Sequence, residues 1–578
     1  MASQPVFVVA IDFGTSYSGY CFSLASGTDQ IRQVYWGAEH GLKTPKTPTS
    51  ILFNQKQEFK YFGYDAVMKY KSLPSSQADS WYFFQNFKMQ LYNKNITAGM
   101  KLKATNGKFL PALTVFSESL RFLKEHALNT IKEASSQTVY DQEEFTWVIT
   151  VPAIWSAAAK QFMRLAAKEA GIISDMLSRN LIIALEPEAA SLWCKKLPHE
   201  GFMADSSDKK FEDSPGIQYI VVDCGGGTID ITVHEIQENH SLKELHKASG
   251  GGWGGNRVDE NFTNFLKEIF NDGVWDEYVE KYPTELQNMM YNFSLQKCSA
   301  SREAVYIRCY YNLTRVAESK KDISQFFKNA TGAVWCDGTI MITYEKMKSL
   351  FDYSINNIIS ALGEILCRPE MDKVQYILLV GGFAFSIILR DAVRQAFSSK
   401  CRILCPMEAQ AAIAKGAVLF GVNPHIITSR ISCRTYGLRV GEKFDDAIHD
   451  ARKRKVSKTG DFIYCTDLFY KLVEIGESVN IDKAACYDFS PMEPDQTGVT
   501  FAFYCTKNQN AQYVDEEGME LLGSCVVPSP ATWLGLKRRL KIEIQFGLTE
   551  FKATCTDVTS QESRTVIIDF LSYNYSSY

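Results

Sequence analysis

The run Asp223-Cys224-Gly225-Gly226-Gly227-Thr228-Ile229-Asp230 packs two carboxylates, a hydroxyl and three consecutive glycines into one turn. Glycines accept positive φ and leave no Cβ between an approaching anion and the backbone N–H groups. Those N–H groups and the Thr228 hydroxyl suit phosphate oxygens. Asp223 and Asp230 repel phosphate unless a hard cation such as Mg2+ stands between them. The stretch therefore implies a nucleotide and a metal together; a ligand-free glycine hairpin is the alternative reading. A second copy weighs against that alternative: Asp12-Phe13-Gly14-Thr15-Ser16-Tyr17 leaves the apolar run 6–11 as Asp223 leaves the run 219–222. Two such turns, about 200 residues apart, predict a duplicated fold whose halves each present one turn to a shared phosphate chain. Neither turn continues into Gly-Lys-Ser or Gly-Lys-Thr, so neither is a P-loop, and neither is a dinucleotide fingerprint.

Other residues invite chemistry less directly. Lys88 lies in the apolar run Phe87-Lys88-Met89-Gln90-Leu91. Such a lysine either snorkels to the surface or aims its ammonium at an anion, and local sequence favours snorkelling. Glu186 ends the apolar run 181–185 and precedes Pro187. That is where open α/β sheets hold ligand groups, although a carboxylate there also suits the start of a helix. Gly254 and Gly255 close a second glycine cluster, and Gly381-Gly382 follows the apolar run 377–380. Such glycines let a backbone lie flat against a base or ribose, or merely let a helix pack close to a strand.

The elements that must carry these groups follow from periodicity. Short β-rich runs at 6–11, 20–24, 147–151, 181–185, 219–222, 231–233 and 377–380 read as buried strands, and 117–134, 157–170, 262–270 and 389–397 as helices. The polar stretch 198–216 reads as a mobile surface loop. From about residue 430 the pattern turns to alternation, with Leu540, Ile542, Ile544 and Phe546 facing one way and the pattern resuming at Phe551. Further strand candidates at 462–465, 499–505 and 566–570 predict a small antiparallel sandwich over 433–578, after a polar boundary at 426–432.

A chain of 578 residues exceeds one core. The division expected is 1–425 as a two-lobed ligand domain (1–216 and 217–425), a linker at 426–432, and the β-rich remainder. A net charge of −4 gives no electrostatic reason for a nucleic-acid or anionic-membrane partner. No basic n-region precedes residues 6–11 and no apolar stretch reaches a membrane span, so the expectation is a cytoplasmic protein. Fifteen cysteines without paired spacing and eight histidines predict small apolar fillers rather than zinc ligands. Arg452 to Lys455 reads as a solvated loop, with nuclear import as the alternative. Asn95-Ile96-Thr97 carries no meaning without secretion.

Taken together, these motifs resemble the actin-like ATPase superfamily, and within it the seventy-kilodalton heat-shock (DnaK-type) chaperones. The run Val151-Pro152-Ala153-Ile154-Trp155 and the turn Gly381-Gly382-Phe383-Ala384 are most similar to the divergent twelve-type subfamily. The resemblance implies an α/β fold: a duplicated, ribonuclease-H-like ATPase of two lobes followed by a β-rich substrate-binding domain. It matches Asp12, Gly14, Thr15, Ser16 and Tyr17 to the first phosphate loop. Asp223, Gly225, Gly226, Gly227, Thr228 and Asp230 match the second. Lys88 matches the catalytic lysine, against the snorkelling reading, and Glu186 a glutamate near the metal's water shell. Gly254 and Gly255 match the phosphate and ribose side of the second lobe, Lys297 an adenosine-contacting lysine, Gly381 and Gly382 the adenosine loop, and Phe385 falls beside that loop. The implied ligands are ATP or ADP with Mg2+ held through water by Asp12 and Asp223, and K+ as a candidate monovalent ion. Implied partners are extended polypeptide clients and co-chaperones, in a stress-response setting. Ser294 and Cys298 stand where the family carries a glutamate and an arginine, and Phe385 stands for its adenine-stacking arginine. His425 to Arg430 replaces the acidic, leucine-rich linker, and no helical lid follows the β-rich segment before Tyr578.

The resulting expectation is a weak Mg2+-dependent ATPase with chaperone-like polypeptide binding. A non-hydrolysing, nucleotide-gated scaffold is the first alternative, and a sugar-kinase-like phosphotransferase the second.

Overall fold

The computed structural model describes residues 5–567 apart from 28–29, 95, 98, 204–210, 300–301, 458–459, 461, 482–483, 546–551 and 562. Strand β1 (Phe7–Phe13) forms an antiparallel hairpin with β2 (Tyr17–Leu24), and β3 (Phe145–Val151) pairs parallel on its other side. Strand β4 (Leu181–Leu185) adds parallel to β3. Every residue of β1 is buried because both faces are covered: Phe7, Val9, Ile11 and Phe13 enter one core, and Val8 and Ala10 another. That is why the sequence shows a continuous apolar run rather than alternation.

The same plan recurs. Strand β5 (Gln218–Cys224) is antiparallel to β6 (Ile229–Ile236) and parallel to β8 (Val374–Val380), with β9 (Arg402–Leu404) parallel beyond β8. On the far side β7 (Leu242–Gly251) pairs with β6, and β10 (Ile427–Ile431) pairs with β7. A hairpin followed by two parallel strands thus occurs in both halves, as the repeated turn predicts.

The two sheets share a core through a pair of crossing helices. Helix α1 (Glu186–Lys196) follows β4 yet packs on β5, β6 and β8, whereas α4 (Ala412–Val422) follows β9 yet packs on β1, β2 and β3. Each half therefore sends a helix onto the other's sheet. Between them along the chain lie α2 (Gly255–Ile269) and α3 (Pro283–Ser299).

Several expected boundaries move. The helix expected over 117–134 starts at Ala112, because Val115 and Phe116 extend its buried stripe back to Pro111. Of the stretch 198–216, residues 204–210 lie outside the described residues. Phe202 and Phe211 are buried, Phe211 edge-on to Tyr219 and Tyr376, so apolar anchors sit within a polar run. The segment 426–432 contributes β10 to the second sheet, where Ser478–Asn480 continues the ladder.

Beyond β10, strands Thr435–Lys443, Ile463–Val473, Gly498–Thr506 and Glu520–Pro528 form an antiparallel sheet edged by Arg454–Val456. Ala485–Phe489, Leu540–Gln545, Lys552–Asp557 and Ser563–Ile567 form a second. Leu438, Phe501, Phe503 and Val527 from the first share one core with Leu540, Ile542, Ile544 and Ala553 from the second. Phe546, Phe551, Asn95 and the part of 566–570 after residue 567 lie outside the described residues. The basic run at Arg452 leads into the exposed edge strand. Among the described residues no helix is long and apolar enough to cross a membrane.

Candidate functional site

Strand ends bring four carboxylates together. Asp12 lies near the end of β1, Asp223 near the end of β5, Asp230 near the start of β6, and Glu186 opens α1. Asp223 and Asp230 are directly opposite in the β5–β6 ladder, a placement that costs stability for two like charges. They are 2% and 0% exposed, and Asp12 and Glu186 only 1% and 7%. Burial, reinforced by Glu186, Asp230 and Asp12, pushes the Asp223 carboxyl well above its ordinary range. Burial likewise raises Asp230. Glu186 is pushed up to about 7 by burial, against the opposing pull of Lys88.

Two ammonium groups answer this charge. Lys88, on the short 3-10 helix Phe87–Leu91, is 1% exposed and donates from Nζ to Glu186 Oε1 at 2.7 Å. It also stands 5.1 Å from the centre of the Trp155 ring. The lysine does not snorkel: it is buried, and a carboxylate from another element receives its head. Lys46 Nζ lies 2.6 Å from Asp12 Oδ2.

The remaining oxygens test the fit of a metal. Asp223 Oδ1 and Asp230 Oδ2 are buried without a hydrogen-bond partner. Asp12 Oδ2 has the Lys46 ion contact but no aligned hydrogen bond, while its Oδ1 accepts from Thr150 Oγ1 at 3.3 Å. Buried carboxylate oxygens left over on two facing strands are the donor set a hard, hydrated cation requires. The residues present therefore fit Mg2+.

The two turns meet face to face. A Cβ on Gly226 would lie 2.1 Å from Ser16 Oγ, and one on Gly227 would lie 2.7 Å from Thr15 Oγ1 and 2.2 Å from Met89 Sδ. None of Gly225, Gly226 and Gly227 takes a positive φ. The expected positive φ is thus corrected: these glycines supply close approach, where a Cβ would not fit, and not an unusual backbone. Their carbonyls accept from the start of α2, Gly225 O from Gly255 N at 3.1 Å, Gly226 O from Asn256 N at 2.7 Å and Gly227 O from Gly254 N at 3.2 Å. The N–H groups of Gly226 and Gly227 have no backbone acceptor among the described residues. Ser16 Oγ donates to Asn256 Oδ1 at 2.8 Å, which ties the first turn to α2. Gly14 O accepts from Thr49 Oγ1 at 2.8 Å, and Thr228 is buried beside its turn.

The adenosine-side residues fall into two groups. Lys297, on α3, donates to Gly255 O at 2.8 Å and to Asp259 Oδ2 at 2.6 Å. The ring beside Gly255 is Phe383, 3.3 Å from where a Cβ would sit. Phe385 is half-buried against the core of the second sheet, its carbonyl accepting from Arg390 Nη1 at 2.6 Å. Gly381 takes φ +85°, and a Cβ there would lie 2.5 Å from Asp223 Oδ1, so this glycine is required on both counts. Gly382 has only Gln410 nearby, at 3.9 Å. Tyr17 reaches across to Ser294, and burial raises its phenol.

Sequence reasoning missed Lys46, Thr150, Asn256 and Phe383. Asn256 directly follows the second glycine cluster and Phe383 the Gly381-Gly382 pair, so adjacency was a usable signal for both. Lys46 and Thr150 reach Asp12 only through sheet pairing, and no spacing announces them.

Comparison with known proteins agrees with this geometry. Residues 82–423 match the family model described as Hsp70 protein. The chain is 34% identical to heat shock 70 kDa protein 12A of Mus musculus over 625 residues, covering 98% of this chain and 92% of that one. It is 34% identical to heat shock 70 kDa protein 12B of Homo sapiens over 627 residues, covering 98% and 91% respectively.

Proposed function

Because the chain belongs to the Hsp70 family and is, at the level of that family, a nucleotide-binding, chaperone-like protein, we propose that it binds ATP and ADP at the meeting turns, hydrolyses ATP slowly with Mg2+, and holds extended polypeptide on its C-terminal β-rich region. In this reading residues 1–425 form the two-lobed nucleotide domain, 426–432 the connection and 433–578 an antiparallel sandwich that takes clients by edge and pocket contacts in the cytoplasm. The observation that carries the proposal is the set of four buried carboxylates and Lys88, drawn from both halves of the duplicated fold, with oxygens of Asp223 and Asp230 left unpartnered.

Mg2+, held through water by Asp12 and Asp223, would neutralise charge developing on the phosphate oxygens. Gly226 and Gly227 through their N–H groups, and Thr15, Ser16 and Thr228 through their hydroxyls, hold the phosphate chain in line, while Gly225 N–H closes the turn on Thr228 O at 3.0 Å. Lys88 orients the attacking water and steadies the terminal phosphate. Glu186, raised by burial and bonded to Lys88, is placed to accept a proton from that water, with Asp230 supporting the water network. Gly254, Gly255, Lys297, Gly381, Gly382 and Phe385 seat the adenosine.

Single-turnover hydrolysis of radiolabelled ATP with Mg2+, with binding followed by calorimetry, tests this. Wild type is expected to exceed background, Lys88→Ala to bind ATP but lose roughly a hundredfold or more in rate, and Asp12→Asn to lose its response to Mg2+. ATP binding without cleavage by wild type would favour the second reading, a nucleotide-gated scaffold. One observation supports that reading: Lys88 and Lys297 are both already held by carboxylates.

A further inference from the structure

Lys46 precedes the two-residue strand Thr47–Pro48, which pairs antiparallel with β2 through Tyr17↔Pro48 and Ser18↔Thr47. The next residue ties this segment to the first turn twice: Thr49 Oγ1 donates to Gly14 O and Thr49 N to Ser16 O, each at 2.8 Å. The backbone beneath Lys46 therefore cannot move independently of the phosphate-facing loop. Room for the side chain is also built in. Gly19 is the register partner of Asp12 across the β1–β2 hairpin, and a Cβ on Gly19 would lie 3.2 Å from Lys46 Cγ. A glycine opposite Asp12 thus clears the path along which the lysine stem reaches the carboxylate.

The ammonium ends 2.6 Å from Asp12 Oδ2, with the two side chains 12% and 1% exposed. Its charge is also felt at Asp223. Lys88 answers Glu186 and Lys46 answers Asp12, whereas Asp223 and Asp230 face each other with no ion pair to a cation among the described residues. A lysine at this buried carboxylate is not a solvated surface pair. It places an ammonium group against one of the two aspartates expected to hold the metal through water.

We propose that Lys46 is a tethered cation that substitutes for part of the divalent metal's charge at Asp12, so that this chain binds nucleotide with weak dependence on Mg2+. The proposal rests on the nucleotide reading above and deepens it. In physical terms the lysine competes with a hydrated cation for Asp12 in the empty protein and supplements it when a polyphosphate is bound.

Two measurements test it. The first is calorimetric ATP affinity in Mg2+ and in EDTA, for wild type, Lys46→Ala and Lys46→Gln, the last keeping a hydrogen-bond donor without charge. Wild type is expected to lose less than about threefold on metal removal, and both variants about tenfold or more. Lys46→Arg, which keeps the charge, is expected to follow wild type. The second is Mn2+ binding to the nucleotide-free protein by electron paramagnetic resonance, where Lys46→Gln should bind about tenfold more tightly than wild type. Thermal melting confirms that each variant is folded. Equal Mn2+ affinity in wild type and Lys46→Gln overturns the proposal. ATP affinity with the same metal dependence in all forms overturns it while the nucleotide reading stands. If wild type binds no ATP in either condition, the nucleotide reading falls, and the Mn2+ comparison alone decides whether Lys46 opposes a metal.

Discussion

At Gly226 a single hydrogen stands where a Cβ would lie 2.1 Å from Ser16 Oγ and 2.9 Å from Ser16 Cβ. Serine is too short to swing clear, so Gly226→Ala must push the turns apart and break the Ser16–Asn256 hydrogen bond. Overpacking of this kind costs about 1–3 kcal/mol, and if it falls on the ligand-competent arrangement it weakens ATP binding roughly tenfold. Gly227→Ala should be milder, because its nearest neighbour is the flexible Met89 side chain. Calorimetric titration of both variants checks the order; an unaltered affinity in Gly226→Ala would mean that nucleotide does not need the turns this close. The same residues show what a sequence can and cannot say. Three glycines announce that a side chain is unwelcome, which is local information. That the unwelcome atom would strike Ser16, far away in the chain, depends on two sheets being brought together.

Strand β10 shows how an element can gather buried charge. Arg430 on β10 donates from Nε and Nη2 to both oxygens of Glu188 at 2.6 and 2.7 Å, and Ile431 N donates to Glu244 Oε2 at 2.8 Å. Burial first, then the neighbouring Glu188 charge, push Glu244 from 4.5 up to about 8. A raised carboxyl keeps its proton in the folded state while the unfolded chain has already released it. Its favourable contribution is therefore complete below pH 4.5 and fades as pH rises through about 8. Glu244→Gln preserves an acceptor for Ile431 N and removes the titration. Urea midpoints measured across this range should fall with pH in wild type and fall less in the variant, so that the variant is the more stable at the alkaline end; parallel curves would sink the assignment. Elements of this kind were only half legible. The strands β1, β4 and β5 are legible from apolar runs closed by Asp12, Glu186 and Asp223, and β3 and β8 from apolar runs closed by Pro152 and Gly381. The segment 426–432 is polar, and nothing local tells that Arg430 will be buried on Glu188, because the partner lies on a helix from the other half of the chain. Lys88 is ambiguous locally for the same reason, and only the ordered set of motifs favours the anion-facing reading.

At the scale of the whole molecule, the two sheets communicate through α1 and α4. Their crossing is tight: a Cβ on Gly416 would lie 1.6 Å from Ala189 O, backbone against backbone. Further along α4, a Cβ on Gly421 would instead meet Val8 Cγ1 at 2.5 Å and Val148 Cγ2 at 2.7 Å, which are side chains of the first sheet. The two glycines thus separate two jobs of one helix. Gly416 sets the distance between the helices, and with it the spacing of the sheets that carry Asp12 and Asp223. Gly421 sets only how closely α4 lies on the first sheet. Each Gly→Ala change should cost about 1–3 kcal/mol in urea unfolding, since a well-packed core must shift to admit the methyl group. Their effects on nucleotide should differ. Gly416→Ala moves the sheets apart and is expected to change ATP affinity although it touches no ligand group, whereas Gly421→Ala should leave affinity near wild type. Calorimetry on the pair, with unfolding to match their stabilities, decides the matter. Equal affinity in both variants would show that the crossing is packing alone and does not set the spacing of the two turns.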